Sequence, residues 1–282
     1  MYRILIDSCG ELTDEMKADP HFCSIPLTLE VNGTTLIDNE KFDQADFLKR
    51  VAESPTAPKS ACPSPNSFME ACRGYDPVYM ITLSSQLSGS FNSASLAREL
   101  LEEEAEDEDE PCPRIHVFDS KSASIGQTLI GFRIAELSNA GLSFEEVVKQ
   151  TEEYIEGQHT YFVLRSLETL RKAGRLSNLK SFIANTLNIK PIMGSTDAGS
   201  IQQLSKARGM NQALDRMVDR MIAADPHTED KVLAISHCAN PEGAMKLREK
   251  ALSRAHFRDV IIADSRGVTS MYAGDGGLVM VV

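Results

Sequence analysis
Apolar positions along the chain fall into short runs, each followed by small hydroxyl residues. Val78 to Leu83 has the length and composition of a buried strand. Ser84, Ser85, Ser88, Gly89 and Ser90 follow it, and Phe91 to Ala97 then reads into a helix. Tyr2 to Ile6 and Ile115 to Phe118 are further apolar strands, closing in Asp7-Ser8 and Asp119-Ser120. The latter leads through Lys121 to Gln127 into a long amphipathic helix reaching Leu137. Three strands alternating with helices predict right-handed crossovers and a mostly parallel sheet. Such a sheet brings its strand-end loops to one edge, where open α/β folds place ligands. The start of a helix has unpaired N–H groups and a partial positive charge. The Ser84–Ser90 loop therefore has two readings: a grip on the anionic head of a ligand, or a Ser-rich helix cap.

Between these strands, Ile25 to Val31 reads as a strand, Asn32-Gly33 as a hairpin turn and Thr34 to Asp38 as its return. Phe42 to Glu53 is a predicted helix with Asp43 near its start. The prolines from Pro55 to Pro65 impose an extended loop, and Ser64-Pro65 starts a helix through Cys72. Leu142 to Gly157 is a helix with a capping box, Ser143 and Glu146, and a glycine stop. The pattern changes there, which places a domain boundary: residues 1–157 form an α/β domain, and 158–282 a smaller one with a mixed sheet and helices. In the second half, Thr160 to Leu164, Val232 to His237 and Val260 to Ala263 are strands. Ser181 to Leu187, Met210 to Ala224 and Pro241 to Arg254 are helices. Arg171 to Ser177 and Lys206 to Gly209 read as basic turns, and Met271 to Val282 as a Gly-rich turn with a short apolar end.

The net charge of −12 argues against a nucleic-acid partner, although much of it sits in Glu102 to Glu110, which reads as a solvated helix end. The six cysteines are scattered without zinc spacing, and no run spans a membrane, so free thiols in a cytoplasmic protein with no metal or cofactor are expected. No phosphate-binding loop, dinucleotide fingerprint, zincin motif or nucleophile elbow is present. His237 at a strand end is a candidate base, more simply a structural histidine. Ser60, Ser84, Ser88 and Ser90 have no histidine nearby in sequence to activate them.

The order of short motifs resembles that of the DegV family, bacterial fatty-acid-binding proteins that serve fatty acid kinase. Asp7-Ser8, Ser60 to Pro65, Ser84 to Phe91, Phe118 to Gln127, Leu170 to Ser177, Ile189 to Ile192 and Lys206 to Gly209 carry the resemblance along nearly the whole chain. It implies two α/β domains with one long-chain fatty acid between them, and a separate kinase that phosphorylates the bound carboxylate, so the chain itself would not be an enzyme. Ser60, Ser88, Gly89 and Ser90 would hold the carboxylate. Tyr272 stands where the family usually has a histidine; it can donate a hydrogen bond but carries no positive charge near neutral pH. Arg175 and Arg208 are implied contacts for the kinase or the head group. Phe162, Leu164, Leu167, Phe182, Ile183, Leu187, Ile192 and Met193 are apolar candidates for the acyl tunnel, or for an ordinary core. Two other readings stay open on sequence: an enzyme acting on a small phosphorylated or acyl substrate at the same edge, and a regulatory module with a vestigial pocket.

Overall fold
A computed structural model describes residues 1–176 and 188–282. The expected helix Ser181–Leu187 lies outside the described residues. In chain order the first half contains β1 (Arg3–Asp7), α1 (Asp14–Ala18), β2 (Phe22–Ile25), β3 (Thr28–Val31), β4 (Thr34–Ile37), α2 (Gln44–Glu53), β5 (Lys59–Ala61), α3 (Pro65–Cys72), β6 (Val78–Thr82), α4 (Ser90–Glu108), β7 (Ile115–Asp119), α5 (Ile125–Asn139) and α6 (Phe144–Glu156). The second contains β8 (Thr160–Val163), α7 (Glu168–Lys172), β9 (Ile189–Ser195), β10 (Ile201–Arg208), α8 (Met210–Ala224), β11 (Val232–His237), α9 (Pro241–Leu252), β12 (Asp259–Asp264), α10 (Gly267–Ala273) and β13 (Leu278–Val281).

The strands form three sheets: a parallel one in the order β2-β1-β6-β7, a mixed one in the order β10-β9-β8-β13-β11-β12, and a small antiparallel one, β4-β3-β5. The predicted alternation of strands and helices produces the first. It has one strand more than expected, because the run Ile25–Val31 divides at Pro26. Proline has no N–H to give a ladder, and the chain leaves the parallel sheet there. The Leu27 N–H goes instead to the Ser8 hydroxyl at 2.9 Å, and the hairpin turns on Asn32 and Gly33, both at positive φ.

Two other expectations are corrected. The segment expected to end the chain as a Gly-rich turn holds α10 and then β13, whose four residues are all buried and pair antiparallel with both β8 and β11. An apolar run covered on both faces has no alternation to announce it. Lys206 to Arg208 is not a turn but the end of β10, and the reversal falls at Gly209 with φ +78°. The acidic run forms the exposed final turns of α4, and the Ser143–Glu146 capping box is present on α6.

Helix α5, expected to be amphipathic, is apolar nearly all round and buried on two sides. Ile130, Ile134 and Leu137 pack with Ile4, Ile6, Tyr79 and Phe118 of the parallel sheet. Ile125 and Leu129 pack with Ala234, Val279 and Val281 of the mixed sheet. A helix with no polar stripe belongs between two layers. The mixed sheet's opposite face is a separate core: Tyr161, Val163, Ile192, Leu278 and Met280 against Met217, Met221 and Leu247 of α8 and α9. A fourth cluster joins the small sheet and α2 to Val268 and Met271 of α10. The last helix of the chain thus packs on its first half.

Gly194 on β9 marks how tightly the mixed sheet's outer face is filled. A methyl group there would lie 2.6 Å from Leu204 Cδ1 and 2.8 Å from the Thr160 carbonyl oxygen. Gly194→Ala is expected to lower the urea midpoint with an unchanged slope, at a cost of roughly 1–3 kcal/mol for overpacking. An unshifted midpoint in equilibrium unfolding would contradict this packing.

Candidate functional site
The loops after β1, β6 and β7 are held by carboxylates. Asp7 accepts the Leu83 N–H at 2.7 Å, the Gln127 Nε2 amide at 2.9 Å and the Cys9 N–H at 3.2 Å. Asp119 accepts the N–H groups of Ser85 at 3.0 Å and Lys121 at 3.1 Å. Burial pushes the Asp7 carboxyl above its ordinary range, against the pull of these donors. Ser8 turns inward as well: besides accepting from Leu27, it donates to Asp38 at 3.0 Å. The Asp-Ser ends of the strands therefore staple the loops together.

That network positions α10. Asp38 accepts the N–H groups of Gly267 at 2.9 Å and Val268 at 3.0 Å, which would otherwise be unpaired at the helix start. Gln44 of α2 donates to the Ser265 carbonyl at 2.7 Å and the Ser270 hydroxyl at 3.1 Å. Fixed at this end, α10 presents Tyr272 on its last turn. The Tyr272 phenol is 3.1 Å from the Ser60 hydroxyl. The Arg175 guanidinium stands 5.8 Å from the Tyr272 ring centroid, within cation–π range, and donates through Nε to the Leu87 carbonyl at 3.2 Å. Ser88 and Ser90 have their hydroxyls 3.1 Å apart, and the Ser88 hydroxyl also accepts the Ser90 N–H. Gly89 caps α4, with the Cys62 sulfur beside it. Strand β5 with Ser60, the loop with Ser88 and helix α10 with Tyr272 thus come together, although they are far apart in sequence.

Next to them a cavity of about 760 Å³, its open mouth included, lies between the halves. From the first half Leu83, Leu87, Ala123 and Ser124 line it. Phe162 and Leu164 at β8, Val279 of β13, Ser195 and Ile201 on the β9–β10 hairpin, and Leu170, Arg175 and Tyr272 complete the wall. The hairpin tip is tied to the first half by the Ser84 hydroxyl, which donates to the Gly199 carbonyl at 2.9 Å. Gly199 has φ +84° and lies against Ser84 and Lys121, where a side chain has no room.

The sequence candidates are distributed as follows. Phe162, Leu164, Arg175 and Tyr272 line the cavity; Ser60 touches the wall residue Tyr272, and Ser88, Gly89 and Ser90 follow the wall residue Leu87 without lining the cavity, Ser90 being fully buried. Leu167 and Met193 pack in the layer behind, with Leu164 and Leu170. Ile192 is off the wall. Strand side chains alternate, so its neighbour Met193 faces the cavity side while Ile192 enters the core on α8. Arg208 is exposed at the opposite end of β10 from Ile201, seven residues away, and is not among the described residues that line the cavity. Phe182, Ile183 and Leu187 lie outside the described residues. His237 is buried 3.2 Å from Asp264 and off the cavity wall. Sequence reasoning missed Val279, Ile201 and Thr269 on the wall, and the buried Glu11 just behind it; the segment holding β13 reads as a Gly-rich turn with a short apolar end, and nothing in the local pattern singles out Glu11.

Comparison with known proteins agrees with this architecture. The family model described as "Uncharacterised protein, DegV family" matches residues 1–282. A DegV domain-containing protein of Streptococcus pyogenes serotype M3 is 36% identical over 99% of this chain and 98% of its own length. The crystal structure of a DegV family protein from Ruminococcus gnavus, described with vaccenic acid, superposes with a TM-score of 0.95 at 45% identity, covering 100% of this chain and 99% of that one. The Streptococcus pneumoniae Fatty Acid Kinase (Fak) B3 protein, solved loaded with linoleic acid, gives a TM-score of 0.88 at 30% identity, with 99% and 98% coverage. The match along the whole sequence and the shared fold together place this chain in the DegV family.

Proposed function
We propose that this protein binds one long-chain fatty acid, with the carboxylate held where Ser60, Tyr272, Arg175 and the Ser88–Ser90 loop meet and the acyl chain in the cavity beside them. The carrying observation is a largely apolar cavity with hydrogen-bond donors gathered at one rim. Related chains have been solved with vaccenic and linoleic acid.

Burying a methylene contributes roughly 0.8 kcal/mol, so a chain of about sixteen carbons gains on the order of 12 kcal/mol before association and ordering take several back. The hydroxyls and Arg175 then fix orientation more than they add affinity. Tyr272 stands where the family resemblance implies a histidine and brings no cation, so the positive charge at this rim comes from Arg175, whose guanidinium is already turned toward the tyrosine ring.

On this reading the halves 1–157 and 158–282 are two domains with the ligand between them, α10 crossing back to the first. The chain is a cytoplasmic carrier and not the catalyst. Ser60 is paired with Tyr272 and Ser88 with Ser90, where a nucleophile needs a base; the cysteines are all free thiols. A separate fatty acid kinase is the partner proposed to take the carboxylate, and Arg208, exposed and off the described cavity wall, is suited to that protein contact.

Organic extraction of purified protein followed by mass spectrometry is expected to recover stoichiometric fatty acid from wild type and clearly less from a Ser60→Ala/Ser88→Ala double variant. A blank from wild type, with added oleate failing to raise the melting temperature, would sink the proposal. Arg175→Gln is expected to weaken oleate binding by roughly tenfold or more, the worth of one charge-assisted hydrogen bond. Affinity for oleyl alcohol should be unchanged. Equal losses for acid and alcohol in a displacement titration would remove Arg175 from the head-group site.

A further inference from the structure
Glu11 follows β1 and is 1% exposed, yet among the described residues no lysine or arginine pairs with it. Its partners are hydroxyls from both halves. Ser124 at the start of α5 donates to its two carboxyl oxygens at 2.8 and 3.0 Å, and Ser236 of β11 donates at 3.1 Å. The Glu11 carbonyl accepts from Thr128 of α5 at 2.6 Å. Ser124 is held at φ +58° and ψ −134°, a backbone conformation unfavourable for a residue with a Cβ. Cys9, Ser124 and Thr269 line the cavity; Glu11 sits immediately behind them.

We infer that Glu11 is a positioning residue that clamps the two halves behind the acyl cavity, and that its protonation is coupled to occupancy of that cavity. The inference rests on the fatty-acid reading above and concerns regulation of the same site. An ionised carboxyl matches a set of neighbours that all donate; a protonated one must turn a hydroxyl away. Burial opposes the ionised form and raises the group to about 7. The titratable groups facing it are on its own loop: Cys9, whose thiol burial pushes up, aided by the charges of Asp7 and Glu11, and Asp7 beyond it. From α5, β11 and α10 it meets hydroxyls; His237, next to Ser236, is turned to Asp264. An acyl chain laid over Cys9, Ser124 and Thr269 excludes water from this corner and disfavours the charge further. Binding therefore takes up a proton, and affinity falls as pH rises through the carboxyl's range. Stability has the same sign. The folded carboxyl binds its proton more tightly than the unfolded one, near 4.3–4.5, so stability is fully present below that value and is lost as pH rises toward about 7.

The test is oleate affinity and ligand-free melting temperature of wild type, Glu11→Gln and Ser236→Ala from about pH 5 to about pH 8.5. Titration of the ligand is common to all and cancels in ratios. The dissociation constant of wild type relative to Glu11→Gln is expected to rise with pH, by about tenfold for each unit by which the ligand raises the carboxyl. A ratio flat across the range overturns the inference, since a purely structural clamp would shift affinity equally at every pH. Ser236→Ala removes one donor outside the cavity wall. It is expected to move the midpoint of the pH effect upward, and an unmoved midpoint overturns the inference even if Glu11→Gln does not fold. If no form binds oleate at any pH, the carrier reading fails, and ligand-free melting judges Glu11 alone. A steeper decline with pH in wild type than in Glu11→Gln supports it, and parallel curves reject it.

Discussion
The structure depends on a helix that must be dry on two opposite sides. Helix α5 lies between the parallel sheet of the first half and the mixed sheet of the second, with Ile130 and Ile134 in one core and Ile125 and Leu129 in the other. Dehydrating a helix all round is favourable only if both layers are present. The two halves thus share one structural member, and its N-terminal turn, Ser122 to Ser124, forms part of the cavity wall.

Around that helix the polar residues divide into two kinds of work. Asp7, Asp38 and Asp119 accept backbone N–H groups and hold loops in place, at the cost of dehydrating carboxylates such as Asp7 and Asp38. Ser60, Ser88, Tyr272 and Arg175 have partners that are mostly each other or a carbonyl, and an arriving carboxylate can replace those partners. Buried, multiply bonded acids build the scaffold, whereas Ser60, Ser88, Tyr272 and Arg175 are sparsely bonded and partly exposed.

Much of this was legible in the chain. Short apolar runs closed by Asp-Ser identify β1, β6 and β7, and their alternation with helices requires a parallel sheet whose loops share an edge. The capping box and the Asn32-Gly33 turn are local chemistry and appear where expected. The failures share one cause. Pro26 splitting a strand, β13 inserting between β8 and β11, and β10 extending through Lys206 to Arg208 all depend on which distant segment receives a backbone N–H. Local patterns do not carry that information.

The sequence alone determined the fold class, the edge on which ligand chemistry would gather and the family, because these follow from the order of short motifs and local periodicity. Only the tertiary structure decided which face each residue serves. Met193 and Ile192 are equally apolar neighbours, yet pairing of β9 with β8 turns one toward the cavity side and the other into the core against α8. No local pattern singles out Glu11, yet the approach of α5 and β11 encloses it in hydroxyls. Burial is a property of surfaces brought together from far along the chain, and no local window contains both of them.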